Sequence, residues 1–211
     1  MRAAVPAEPV TRERLLYVAA ERFAERGFDQ VTVREICAAA GANVAAVNYY
    51  FRDKAGLYRE VVEHAIALMQ ETTDLSQRAG GGASPEARLR AYVKVFLTRL
   101  AGGGRHAWIH RLMAREFEHP TGALELVMDR VVQPRMAYLC AVAGELMGLP
   151  PEDPRVLRSA ISLQTQCVAV ARHVPADVAR RWAMGDIDDV IEHIATFTIG
   201  GMRAVAAPTR D

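Results

Sequence analysis

Cysteine is scarce in this chain. Cys37, Cys140 and Cys167 are its only thiols, they stand far apart, and no C-x-x-C pair occurs, so neither a disulfide framework nor a zinc knuckle is specified. Each sits in an apolar helical pattern, as small buried thiols do in a reducing compartment. Long apolar runs are missing as well. No stretch of about eighteen apolar residues exists, so no helix is expected to span a membrane. Met1–Pro9 holds two prolines and no apolar segment, so residues 1–9 read as a disordered tail rather than a signal peptide, and the cytoplasm is the expected location.

Charge of one sign is also lacking. The formal net charge is +1, and residues 1–79 carry ten Lys/Arg against eleven Asp/Glu. That excludes a general basic patch, so any nucleic-acid binding must rest on a few well-placed donors rather than on a global positive field. There is no glycine-rich phosphate loop, no G-x-S-x-G and no His/Asp/Glu cluster beside a nucleophile. Nothing indicates an enzyme, a cofactor or a metal. Period-two alternation is sustained nowhere, which leaves little room for strands.

What the chain does have is apolar residues, 51% of the total, recurring at i, i+3, i+4 from end to end. The pattern predicts an all-α protein of about nine helices with a sizeable core. A first helix from about Thr11 to Arg26 carries Leu15, Leu16, Ala19 and Phe23 on one face and stops at Gly27, with Phe28 placed to fold back on Phe23. Thr32 and Glu35 form a capping-box pair at the head of a short helix ending near Ala40. Gly41 breaks it, Asn43 caps a second short helix over Val44–Tyr50, and Asp53 caps a longer one. Behind the Gly80–Gly82 break, further helices start at Ser84-Pro85, near His106, at Thr121, at Asp153-Pro154 and at Asp186. The helix from Thr121 to Met147 contains Pro134, which should kink it.

Val33–Phe51 has the make-up of a helix-turn-helix. Gly41 supplies the sharp turn, Cys37 is the small residue where two helices cross, and Ile36, Ala40, Ala42 and Val47 face inward. A second helix set into the major groove offers its N-terminal residues to base edges. Here these are Val44, Ala45, Ala46 and Asn48, small side chains suited to a thymine methyl and an amide suited to adenine. Tyr49 and Tyr50 carry hydroxyls for phosphates. Thr32 and Asn43 stand at helix starts with free amides, Arg34 points from the first helix of the motif toward the groove, and Lys54 opens the next helix.

Thr32-Val33-Arg34-Glu35-Ile36, Ala40-Gly41 and Val47–Lys54, followed by Leu57 and Tyr58 and preceded by Phe23, Gly27 and Phe28, resemble the TetR (tetracycline repressor-like) family. The likeness is close over residues 10–60. It implies a homodimer on a near-palindromic double-stranded DNA operator, and a C-terminal domain that dimerises and binds a small-molecule effector. Carried onto this chain, the base-reading positions fall on Arg34, Ala46 and Asn48, and the phosphate positions on Thr32, Asn43, Tyr49, Tyr50 and Lys54. Where many members have Lys-Gly-Thr, this chain has Val44-Ala45-Ala46, which favours methyl and shape contacts. Leu112–Glu116 with Pro120-Thr121 resembles the CecR-like branch.

The expected division is therefore 10–52 for DNA and 53–211 for ligand and dimerisation. His106 and His110 share a helix face without an evident third ligand, so they are cavity-lining groups or surface histidines rather than a metal site. His110, Arg115, Gln164 and Arg172 are the candidate effector residues, although Gln164, Gln166, Arg172 and His173 equally suit the polar edge of an interface helix. The stripe Ile187, Val190, Ile191, Ile194, Phe197, Thr198, Gly201, Met202 and Val205 suits either core or a four-helix dimer interface formed by the last two helices. An effector-independent architectural DNA-binding protein is the alternative function.

Overall fold

The computed structural model describes residues 8–101, 107–173 and 186–207. The glycine run 102–104, His106, residues 1–7 and the Arg172 side chain lie outside the described residues. All regular structure among the described residues is helical: α1 (Glu8–Arg26), α2 (Val33–Ala40), α3 (Val44–Phe51), α4 (Lys54–Ala79), α5 (Pro85–Ala101), α6 (Ala107–Glu118), α7 (Ala123–Val127), α8 (Gln133–Met147), α9 (Pro154–His173) and α10 (Ile187–Ala206). With the run 123–147 counted once, this makes nine helices among the described residues, as the periodicity predicts. Helix α1 starts at Glu8 rather than near Thr11. Pro9 sits in the first turn, where a missing N–H leaves no bond unmade, so the proline expected to hold residues 8–9 in a loose tail instead opens the helix.

The 123–147 run departs from a simple kink. Between α7 and α8 the chain makes a π-helical turn over Met128–Val132, directly before Pro134. A proline has no N–H to return to the carbonyl four residues back and crowds it sterically. A wider turn relieves the clash. The Arg130 carbonyl freed in this way accepts a hydrogen bond from Gln70 Nε2 at 3.1 Å.

The described chain forms two compact units. One comprises residues 8–68 and 107–127, the other 69–101, 128–173 and 186–207. In the first, α1 packs on α2, α3 and α6, burying Leu15, Ala19, Phe23, Ile36, Val47, Leu57, Val61 and Trp108 to 2% exposure or less. In the second, α5, α8, α9 and α10 pack together around Leu89, Tyr92, Val93, Leu97, Val142, Val156, Leu163 and Ile194. Cys37 belongs to the first core and Cys140 and Cys167 to the second, all three as buried free thiols. Burial pushes the Cys167 thiol up to about 12, which makes it unreactive.

Two glycines hold the turns of the first unit for different reasons. Gly41 has φ +60° with open space around it, so only its backbone conformation demands glycine. Gly56 has no such φ, but a Cβ there would lie 1.9 Å from the Phe51 carbonyl oxygen. Gly41→Ala should therefore cost about 1–2 kcal/mol. Gly56→Ala should cost about 3 kcal/mol or more, because backbone must move. Urea unfolding of the two variants checks this, and the reverse order would show that the α3–α4 approach is not tight.

Candidate nucleic-acid interface

Helix α3 has only eight residues, too few to persist alone in water, so its surroundings must hold it. At its start, Asn43 is extended and its Oδ1 accepts from the Ala45 N–H at 3.0 Å. From below, Val47 and Phe51 are buried, and the Arg12 guanidinium stacks 5.4 Å from the Phe51 ring centroid while pairing with Glu60. At its end, the Arg52 N–H reaches the Asn48 carbonyl at 3.2 Å, with Arg52 at φ +73°. That conformation is adverse for a residue with a Cβ. Asp53 then caps α4, its Oδ1 accepting from the Gly56 N–H at 2.7 Å.

Helix α2 is fixed by a full capping box. The Thr32 hydroxyl accepts from the Glu35 N–H at 3.3 Å, while the Thr32 N–H and hydroxyl both donate to Glu35 Oε2 at 2.8 Å. Glu35 also pairs with Arg26 at 3.0 Å. The backbone N–H of Thr32, with the Arg26 guanidinium and the Thr32 hydroxyl, holds the Glu35 carboxyl down at about 2. Gly41 closes the helix, its N–H reaching the Ala38 carbonyl, and Cys37 at 2% exposure lies in the buried seam with Ile36 and Ala40. Ala42, expected inward, is partly exposed.

The outer face shows which donors remain available. Val44, Ala45, Asn48 and Tyr49 are exposed, Ala46 and Tyr50 partly so; Tyr49 is 73% exposed, with its ring against Tyr50 at 5.0 Å between centroids. The Asn48 amide, the Asn43 NH2 group, the Tyr49 and Tyr50 hydroxyls and the exposed Arg34 guanidinium have no protein partner among the described residues. Thr32 and Lys54 differ. Both Thr32 donors are engaged by Glu35, and Lys54 Nζ lies 4.3 Å from the Phe28 ring centroid and 3.4 Å from the Asp29 carbonyl.

Of the four residues expected for an effector, His110 and Arg115 belong to the first unit and Gln164 to the second, while the Arg172 side chain lies outside the described residues. Arg115 is committed to α1: its Nε donates to the Ala24 carbonyl at 3.0 Å and its Nη2 to that of Glu25. These carbonyls at a helix C-terminus lack helical partners and favour a cation. Next to it, Glu116 is 1% exposed and accepts from the Tyr58 hydroxyl and from the Thr121 N–H and hydroxyl at 3.2 and 3.0 Å. Burial, followed by this bond, pushes the Tyr58 pKa up. A cavity of about 320 Å³ in the same unit is lined by Phe23, Arg26, Phe28, Tyr58, Arg115 and Glu116 among others. The α1 stop is legible in the sequence, but the Arg115 side chain that completes it is not, because it comes from about ninety positions further on; from the same helix Arg111 pairs with Glu21. No group of three or more metal-ligating side chains occurs among the described residues.

Residues 15–61 match the family described as bacterial regulatory proteins, tetR family. Residues 85–202 match the C-terminal domain of the HTH-type transcriptional dual regulator CecR. The chain belongs to the CecR-like branch of the TetR family. It is 26% identical over 157 residues to the HTH-type transcriptional dual regulator CecR of Shigella flexneri, covering 69% of each chain. It is 27% identical over 136 residues to the HTH-type transcriptional repressor BepR of Brucella suis biovar 1, covering 64% of each. Two solved structures share the fold at TM-score 0.65 and 19% identity. One is a TetR-like regulator from Rhodococcus sp. RHA1, covering 96% of this chain and 98% of that one; the other is AibR in complex with isovaleryl coenzyme A and operator DNA, covering 90% and 97%. The homologues are transcriptional regulators, and no catalytic family is indicated.

The capping box yields a pH dependence. Glu35 has a folded pKa below its ordinary 4.5, so its ionised form stabilises the head fully above that value and the contribution disappears as pH falls toward about 2. Glu35→Gln should be less stable than the parent at pH 7. The gap between their melting curves should close across this acid window; a gap independent of pH would show that the carboxylate charge is not what holds α2.

Proposed function

We propose that this TetR-family chain is a ligand-responsive repressor that binds a near-palindromic operator as a homodimer. Residues 10–52 serve DNA, and residues 53–211 carry the effector and dimerisation surfaces. The observation that carries the DNA assignment is the outer face of α3, where small side chains flank an Asn48 amide with no protein partner. An α-helix fits the major groove, and Asn can pair with adenine through both of its amide atoms. Arg34 and Ala46 read beside it, with Val44 and Ala45 against methyl groups. Asn43, Tyr49 and Tyr50 hold phosphates. Thr32 and Lys54 join them only by exchanging their present partners, so we rank them behind the others.

The repressor reading is supported by the likeness to BepR, a transcriptional repressor, and effector control by the likeness to AibR, which has been seen in complex with isovaleryl coenzyme A and operator DNA. In our reading a bound effector favours a spacing of the two heads that no longer matches the operator half-sites. No helix among the described residues is long and apolar enough to cross a membrane, and we place the protein in the cytoplasm with its DNA.

The dimer surface we assign to α9 and α10. Leu157 and Ile161 on α9 are 45% and 49% exposed, and Phe197 and Val205 on α10 are 63% and 47% exposed. Large apolar side chains clustered on two helices mark an interface. Gly200 and Gly201 have nothing within 4 Å of a built Cβ, which leaves room for another helix.

Gel-shift titration against the protein's own promoter region should show one sequence bound more than about tenfold better than random duplex; equal binding would sink the regulator reading, and binding that no small molecule changes would favour the architectural one. Asn48→Ala should relax preference at one operator position by about 1–3 kcal/mol. An unchanged position weight there would remove Asn48 from base readout. Phe197→Glu, at an exposed site, should leave helicity intact yet sediment as a monomer and lose cooperative operator binding. A dimer that survives this change places the interface elsewhere.

A further inference from the structure

In the second unit a half-buried guanidinium has no counter-charge among the described residues. Arg135, on α8, donates through Nε to the Thr73 hydroxyl at 3.3 Å and through Nη2 to the Met69 carbonyl at 3.2 Å. Its Cζ sits 5.3 Å from the Phe96 ring centroid. These partners are neutral, and Arg135 has no ion-pair partner among the described residues. Its neighbours are matched differently, since Arg99 pairs with Glu71 and Arg88 with Glu145. Burial lowers the Arg135 pKa, yet the side chain keeps part of its surface accessible. A half-buried cation whose protein partners are all neutral is placed to take a charged partner from outside the chain.

The aromatic surroundings point the same way. Tyr92 stacks on Phe96 at 5.6 Å and lies 6.3 Å from Tyr138. The Tyr92 hydroxyl is satisfied by Gln164. The Tyr138 hydroxyl is buried and has no hydrogen-bond partner among the described residues, and neither has Arg88 Nε. Native interiors seldom leave such groups unpaired without a ligand or solvent to satisfy them. A purely structural arginine tying α8 to α4 would account for the bonds to Met69 and Thr73. It would not account for the missing counter-charge or for the unpaired Tyr138 hydroxyl.

We infer that the effector is an organic anion whose carboxylate or comparable acidic group is received by Arg135, with the Tyr138 hydroxyl, three residues further along α8, as the second donor. This rests on the ligand-responsive reading above and names the chemical class of that ligand. Planar, two-pronged donation by a guanidinium to a carboxylate is the geometry in which arginine surpasses lysine.

The test uses the full-length protein with matched probes: octanoate and 4-phenylbutyrate, their uncharged amides, and octylamine. Calorimetric titration and operator release are read together. The carboxylates should bind and release operator, with the amides at least about tenfold weaker and octylamine inactive. Arg135→Gln should abolish the preference for carboxylate over amide, and Arg135→Lys should restore it only in part. Since Arg135 also ties α8 to α4, Tyr138→Phe is the decisive second variant. It removes a hydroxyl with no protein partner, so the melting temperature without ligand should not change while carboxylate affinity falls several-fold. If amides or octylamine release operator as well as the carboxylates do, or if Arg135→Gln and Tyr138→Phe leave the preference intact, the anion assignment is overturned and ligand response stands. If no probe releases operator, the anion assignment falls and ligand response is weakened with it.

Discussion

A helix of eight residues cannot hold its own shape in water, and the helix we propose as the reading surface is such a helix. Every neighbouring feature of the first unit answers that constraint. Asn43 satisfies an N–H at the start of α3, Val47 and Phe51 anchor it from beneath, and the turn through Arg52 with the Asp53 cap stops it before the next helix begins. Rigidity achieved this way leaves the outward side chains free of structural duties. The Asn48 amide and the Tyr49 hydroxyl have no protein partner among the described residues, and that availability makes the surface suitable for recognition.

The near-neutral charge of the first seventy-nine residues gains meaning from the same arrangement. Several cations of the head are already engaged. Arg12 pairs with Glu60 beside the Phe51 ring, Arg26 with Glu35, and Lys54 lies against Phe28 and Asp29. Exposed ion pairs of this kind contribute little stability each, but they reduce the positive charge left for phosphates. Affinity is thereby shifted from a general field, which falls steeply with salt, toward contacts with particular groups. In the proposed reading, a weak background and a specific complex follow from one set of side-chain pairings.

The units also show how a sequence-distant segment can become part of a recognition head. Arg115 completes the C-terminus of α1, Arg111 pairs with Glu21, and buried Glu116 joins Tyr58 to Thr121. Three helices of this length bury too little apolar surface to be secure on their own, and α6 supplies Trp108, Ile109 and Leu112 to their core. The second unit behaves otherwise. Its apolar core closes around Leu89, Val142 and Leu163, while among the described residues Arg135 has only neutral hydrogen-bond partners and the Tyr138 hydroxyl has none.

Local chemistry by itself determined the helical fold, the order of the helices, the capping box at Thr32, the turn at Gly41 and the outward face of α3. Each depends on residues within four positions of one another, where period and cap residues act directly. The widened turn before Pro134 lies at the limit of that reach: the proline announces a disturbance, but only Gln70, sixty positions away, explains how the freed carbonyl is satisfied. Tertiary structure alone decided that Arg115 serves α1, that both Thr32 donors belong to Glu35 while those of Asn48 stay free, and that Arg135 has no counter-charge. Whether a polar group is satisfied depends on what the fold brings beside it, and residues far apart in the chain carry no mark of that meeting.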